Sequence, residues 1–304
     1  METIIQTRSL EKQYGSVAAL KGIDLEVRPG EIFGFLGPNG SGKTTTVKIL
    51  LNFVRHSGGL VRLLGESPAK VDRGRIGYLP ERVSVHTFLT IREFLTTQGR
   101  MVRLKGVELK NRVSEALERT GLADAAERKI GQCSKGMLQR AGIGQALLGR
   151  PELLILDEPN SGLDPIGIQD MRRIIQDENK RGATVFLNSH QLLEVEKTCD
   201  RVAILHKGLI VAQGTKEELS GKKGVIVEVE EMTPKLEKAI RAADQSARIN
   251  GTHAELSIAD EEQERTFPAK IVDANGRILS YVQKRESLEE IFSRAIGGDS
   301  GAQG

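Results

Sequence analysis

The sequence predicts an α/β fold: a doubly wound, mostly parallel sheet with an antiparallel β lead-in, a helical insertion and a small α+β C-terminal domain. Three observations predict it. Gly37-Pro38-Asn39-Gly40-Ser41-Gly42-Lys43-Thr44-Thr45 is a glycine-rich loop set between an apolar run and an amphipathic segment. Leu153-Leu154-Ile155-Leu156 is a continuous apolar run, as a parallel strand buried on both faces requires. Between them the stretch from about residue 83 to 150 reads as mainly helical, and after Gly224 short alternating strands return.

In chain order, Ile4 to Val27 alternates apolar and polar pieces about the turn Tyr14-Gly15-Ser16 and stops at Arg28-Pro29-Gly30, which predicts β-strands and turns. Glu31 to Leu36 is the buried strand entering the glycine loop. Thr45 to Leu51, with Val47, Ile49, Leu50 and Leu51, is the helix leaving it. Leu60 to Gly65 and Ile76 to Pro80 predict two more short strands. Thr90-Ile91-Arg92-Glu93 has the form of a capping box ahead of Phe94 and Leu95, and Val113, Leu117 and Leu122 keep a helical spacing through Ala123. After Leu153–Leu156, strands are expected at Ala183–Leu187 and Arg201–Leu205, with a helical stretch from Gln191 to Cys199 between them.

The polar, glycine-bearing segment Ser220-Gly221-Lys222-Lys223-Gly224 predicts a boundary between a first domain, 1–220, and a second, 224–296. In the second, Val225, Val227 and Val229 alternate with polar or charged residues, and Thr233-Pro234 opens a helix through Ile240. Ala254–Ala259 and Arg277–Val282 read as strands, with Asn275-Gly276 as a turn. Ser287-Leu288-Glu289-Glu290 caps a last helix, and 297–304 is expected to be a disordered tail.

Composition narrows the partners. Of 304 residues, 38% are hydrophobic and 28% charged, a soluble globular balance. No apolar run approaches the ~18–20 residues needed to cross a bilayer, and Met1-Glu2-Thr3-Ile4-Ile5-Gln6 lacks the basic and apolar regions of a signal peptide. A cytoplasmic protein is expected. Cys133 and Cys199 show neither metal-ligand nor disulfide spacing. A net charge of +3 without Lys/Arg runs, and few aromatics for base stacking, does not suggest nucleic acid.

The glycine loop reads as a phosphate cradle. Its spacing lets successive backbone N–H groups curl round an anion, and the following helix adds its positive end. Lys43 would reach the β- and γ-phosphates and the Thr44 hydroxyl would ligate Mg²⁺. Asp157, closing the apolar run, would hold Mg²⁺ directly or through water, while Glu158, one residue on, would polarise a water against the γ-phosphorus. A flexible turn could explain the first element alone, and an acidic helix cap the second. Their occurrence together favours hydrolysis.

Cys133-Ser134-Lys135-Gly136-Met137-Leu138-Gln139-Arg140 lies shortly before the Asp157-Glu158 strand, and with it the chain resembles the nucleotide-binding subunits of ATP-binding cassette (ABC) transporters over about residues 1–219. The resemblance implies a P-loop NTPase core with a RecA-like parallel sheet, ATP as substrate and Mg²⁺ as cofactor. It makes Ser134, Lys135, Gly136 and Met137 a signature that binds the γ-phosphate of ATP held by another subunit. Lys135 departs there from the family's first glycine, Met137 from its glutamine and Cys133 from its leucine. The resemblance also implies that Tyr14 stacks on adenine, that Asp164 of Ser161-Gly162-Leu163-Asp164 belongs to a loop linking two nucleotide sites, and that His190, after Leu187-Asn188-Ser189, contacts the γ-phosphate and positions water. Glu81 of Leu79-Pro80-Glu81 stands where the family has a metal-touching glutamine.

From that resemblance follow a homodimer, a membrane-spanning permease on a separate chain, and a place on the inner face of the cell membrane. The signature variant, the Glu81 loop, the extra domain and the ending Ser287-Leu288-Glu289-Glu290-Ile291-Phe292 are similar to the ATPases of ABC-2-type exporters. Two other readings stay open: a soluble ABC-type ATPase acting on ribosomes or DNA, and a nucleotide-binding regulator with negligible turnover.

Overall fold

A computed structural model describes residues 3–220, 223–258 and 261–297, and falls into two compact units, Met1–Thr215 and Lys216–Gly304. In the first unit, β1 (Ile5–Tyr14) and β2 (Val17–Val27) form an antiparallel hairpin. β3 (Ile32–Leu36) is buried at every position and runs into the glycine loop, from which α1 (Lys43–Leu50) departs. β4 (Gly58–Leu63) returns to pair with β1, which closes a three-stranded sheet in the order β2-β1-β4. β5 (Ile76–Leu79) then precedes the helical stretch of α2 (Ile91–Met101), α3 (Gly106–Arg119) and α4 (Lys135–Leu147).

The chain re-enters the main sheet as β6 (Leu153–Asp157), followed by α5 (Pro165–Lys180), β7 (Thr184–Ser189), α6 (Leu192–Thr198), β8 (Arg201–His206) and β9 (Leu209–Thr215). The strand order is β5-β6-β7-β3-β8-β9, parallel throughout except for β9, which pairs antiparallel to β8 at the edge. Helices cover β3, β6 and β7, so these strands need side chains that are apolar on both faces, and Ile32–Leu36, Leu153–Leu156 and Val185–Leu187 supply them. Phe33 and Phe186, opposite one another in the register, stack with centroids 6.1 Å apart, and Phe35 adds a tilted contact at 5.3 Å.

α2 begins where its capping box predicts: the Thr90 hydroxyl accepts from Glu93 N–H at 3.1 Å, and Glu93 accepts from Thr90 N–H at 2.8 Å. α2, α3 and the start of α4 bury Ile91, Phe94, Leu95, Leu109, Val113, Leu117 and Met137 together, a core separate from that of the sheet. α4 is buried nearly all round and joins this helical core to β5.

The second unit contains α7 (Lys216–Leu219), β10 (Lys223–Val229), α8 (Pro234–Ala243), β11 (Arg248–Asn250), β12 (His253–Ile258), α9 (Glu261–Asp273), β13 (Ile278–Arg285) and α10 (Leu288–Gly297). Its antiparallel sheet runs β11-β12-β10-β13, and Val225, Val227 and Val229 pack on Leu236, Ile240, Phe267 and Ile271 of α8 and α9.

Several details differ from the sequence expectations. α1 starts at Lys43, two residues before Thr45, because Gly42 takes a left-handed conformation at the N-cap and its carbonyl already accepts from Thr46 N–H. α5, β9, β11 and α9 lie where the sequence reading placed no element. Gly297 closes α10; the rest of the expected tail, Gly221 and Lys222 of the boundary segment, and Ala259 lie outside the described residues.

Candidate functional site

Four parallel strands end side by side, and each delivers one predicted group. Register pairs Leu79 with Leu156, Asp157 with Asn188, and Leu36 with Ser189. The loops carrying Glu81, Asp157-Glu158, His190 and the phosphate cradle therefore leave one edge in that order. At about 4.8 Å per strand the row spans about 14 Å. This is the carboxyl edge of an open α/β sheet, where such folds place ligands.

The cradle is shaped by close backbone approach. A Cβ at Gly37 would press into the Leu205 carbonyl oxygen and lie 2.6 Å from Ser41 Oγ, so no larger residue fits. Ser41 is 2% exposed, and its hydroxyl finds no partner. A buried polar atom left unpaired is rare and marks a place for a ligand atom. Lys43 is also buried; its Nζ donates to the carbonyls of Gly37 at 2.7 Å and Pro38 at 3.2 Å. Burial pulls the Lys43 pKa below its ordinary value, while Glu158 and Asp157 push it back up. Thr44 is exposed and Thr45 half-buried in the first turn of α1, among N–H groups that helix geometry leaves without internal partners.

Asp157 ends β6 almost fully buried. Burial raises its carboxyl above the ordinary value, and Glu158 and Glu81 add to the rise. The Asn188 carboxamide, donating at 2.5 Å, and the Lys43 ammonium act against it. Asn188 was not singled out as a site residue from the sequence. Its role rests on the parallel register, which sets it opposite Asp157 across 31 positions of chain.

Glu158 holds a left-handed backbone, φ 49°, uncommon for a non-glycine residue and concentrated at functional positions. Its N–H donates to the Asn188 carbonyl at 2.8 Å. His190 Nδ1 lies 2.9 Å from its carboxylate, which also accepts, more loosely, from Ser189 Oγ at 3.5 Å. His190 stays largely exposed while Glu158 is mostly covered.

The remaining predicted residues lie elsewhere or in other roles. Tyr14 ends β1 half-exposed, with Lys12 Nζ 4.6 Å above its ring. Glu81 is exposed beyond β5 and close enough to raise both Asp157 and Tyr78. Ser134 caps α4 by accepting from Met137 N–H at 3.2 Å, and Lys135 and Gly136 form the first turn. The Met137 side chain turns into the helical core, so this residue offers a ligand only backbone. Asp164 caps α5, accepting from Gly167 N–H at 2.8 Å. These oxygens suit a hard cation, yet among the described residues no cluster of three His, Cys, Asp or Glu side chains could cage one alone. Phosphate and water oxygens would have to complete the shell.

Comparison with known proteins bears on this geometry. The family described as ABC transporter matches residues 20–161. An uncharacterized ABC transporter ATP-binding protein of Nostoc sp. is 39% identical, the match covering 97% of this chain and 90% of that protein. The bacitracin transport ATP-binding protein BcrA of Bacillus licheniformis is 35% identical over 98% of this chain and 99% of its own. The linearmycin resistance ATP-binding protein LnrL of Bacillus subtilis is 33% identical over 97% and 98%. Among solved structures, an ATP binding subunit of an ABC transporter superposes with a TM-score of 0.66 at 30% identity, covering 71% of this chain and 92% of the other.

Proposed function

The chain belongs to the ATP-binding subunits of ABC transporters, and from that premise we propose that it hydrolyses ATP at the carboxyl edge of its sheet to drive a permease carried on a separate polypeptide. The observation that carries the reading is the Asp157–Asn188 and Glu158–His190 arrangement beside a phosphate cradle with an unpaired buried hydroxyl. No helix among the described residues is long and apolar enough to cross a membrane, which agrees with a spanning partner supplied by another chain.

In this mechanism the Lys43 ammonium exchanges the Gly37 and Pro38 carbonyls for phosphate oxygens, and Ser41 Oγ gains the partner it lacks. Tyr14 offers its ring face to the adenine. Thr44 and Asp157, with Glu81 as a further oxygen, would hold Mg²⁺, whose chemistry is to neutralise charge on the β- and γ-phosphates. Glu158 orients the attacking water, with His190 Nδ1 2.9 Å from its carboxylate helping to position it. The start of α4 meets the nucleotide of a second copy through the Ser134 hydroxyl and its first backbone N–H groups, so two chains complete two sites. Closure on ATP and reopening after phosphate release would then work the permease at the inner face of the membrane. Relatives named for bacitracin transport and linearmycin resistance, and one named for Nod factor export, support an exporter of the ABC-2 type.

Steady-state turnover of Glu158→Gln tests the reading. A fall of at least about 100-fold is expected, together with an ATP-dependent shift to dimer on size exclusion. Equal turnover would remove Glu158 from the chemistry, and a monomer with ATP would remove the shared site.

A further inference from the structure

We infer that Lys135 is a positioning residue for hydrolysis, acting through Gly162 on the loop that carries Glu158. The inference rests on the reading of Glu158 given above. Lys135 is the first residue of α4, at the positive end of the helix, and no acid in the first turn offsets it. A cation is poorly placed there electrostatically. Its side chain turns instead onto the loop between β6 and α5. A Cβ built on Gly162 would fall onto Lys135 Nζ, with Cε at 2.7 Å and Cδ at 2.8 Å. The lysine stem therefore lies flat across the apex of the turn. Gly162 also adopts φ 67°, which suits glycine. Beside it, Leu163 Cδ2 lies 3.7 Å from where a Cβ at Gly136 would stand, so α4 and the turn meet at two adjoining points.

That turn is fastened to the proposed water-orienting residue. Ser161 N–H donates to the Glu158 carbonyl at 3.0 Å, and Leu163 N–H to the Asn160 carbonyl at 3.2 Å. Glu158 itself is held at φ 49°, a conformation that persists only where its surroundings over-determine it. The Lys135 stem is one of those surroundings: lying against Gly162, it braces the turn that holds Glu158 beside His190. Since α4 also faces the second nucleotide in the proposed dimer, the same contact links one site's closure to the other's chemistry.

Double-mutant kinetics test this, with kcat, the KM for ATP and the melting temperature measured for each variant. Lys135→Ala should lower kcat about tenfold with KM changed less than about twofold, and Lys135→Met, which keeps the stem, should retain clearly more kcat than Lys135→Ala. Gly162→Ala dislodges the lysine without deleting it, so it should fall by a similar factor. The pair Lys135→Ala/Gly162→Ala should be no worse than the poorer single variant, because the new methyl enters vacated space. Wild-type kcat in Lys135→Ala, equal losses in the Met and Ala variants, or losses that multiply in the pair would overturn the inference. A Glu158→Gln protein turning over like wild type would instead sink the reading of Glu158, a separable result.

Discussion

Replacing Asn188 by alanine probes the buried bond on which the Asp157 carboxylate, proposed above to hold Mg²⁺, depends. Asn188 and Asp157 are 1% and 5% exposed, and one amide hydrogen joins them at 2.5 Å. A hydrogen bond to a charged group contributes about 1.5–3 kcal/mol, and the space left by the carboxamide adds about 1 kcal/mol, so the nucleotide-free protein should lose about 2.5–4 kcal/mol. At a urea slope of about 2–3 kcal/mol/M this moves the unfolding midpoint of the nucleotide-binding unit down by about 1 M. The sign with pH follows from Asp157. Its carboxyl in the fold lies above its ordinary 3.8, chiefly through burial, and Asn188 is the strongest group holding it down. Stability tied to a raised carboxyl is present below the unfolded value and lost as pH rises through the folded one. Removing Asn188 raises that value further, so the deficit should be larger at neutral pH than near pH 4–5. In the same variant, Mg²⁺ half-saturation of ATPase activity should rise about 10–100-fold, as when the partner of a metal ligand is lost. A variant with the wild-type urea midpoint and Mg²⁺ dependence would refute the reasoning.

Two further outcomes follow from single positions. The Tyr78 phenol is pushed up to about 12 by burial first, then by Asp157 and Glu81. Its unfolded form ionises near 10, so stability should be lost as pH rises from about 10 to 12. Tyr78→Phe should flatten that decline in urea midpoints, and parallel curves for the two proteins would exclude the phenol as its source. Gly37→Ala drives a methyl against the Leu205 backbone, which cannot swing aside as a side chain would. A loss of about 1–3 kcal/mol in stability and abolished binding of a fluorescent ATP analogue are expected, and wild-type binding would show that the cradle can open.

Much of the fold was legible because its signals are local. The capping boxes at Thr90 and Ser287 and the proline-led start of α8 each needed only four adjacent residues, and each helix begins there. α5 also carried a readable start, Asp164 as N-cap with Pro165 in the first turn, and buries Met171, Ile174, Ile175 and Glu178 at helical spacing. α9 carried no such signal: Pro268 lies inside it, and a proline normally argues against a helix interior. The charge contacts were less legible still. Arg119 of α3 reaches Glu178 of α5, itself 5% exposed, at 3.3 Å, a pairing of residues 59 positions apart that only packing creates.

The sequence by itself determined the chemistry of each strand end: a glycine loop closing in Lys43-Thr44, an apolar run ending in Asp157-Glu158, and a histidine at position 190. These are short-range patterns, fixed by what a few consecutive residues can do with backbone and side chain. Only the tertiary structure decided that Asn188 would hold Asp157, that His190 would reach Glu158, and that Lys135 would lie across Gly162. Parallel strands must be joined by long crossovers, so neighbours in the sheet are strangers in the chain. Register and packing over the whole unit, rather than any local spacing, brought those groups together.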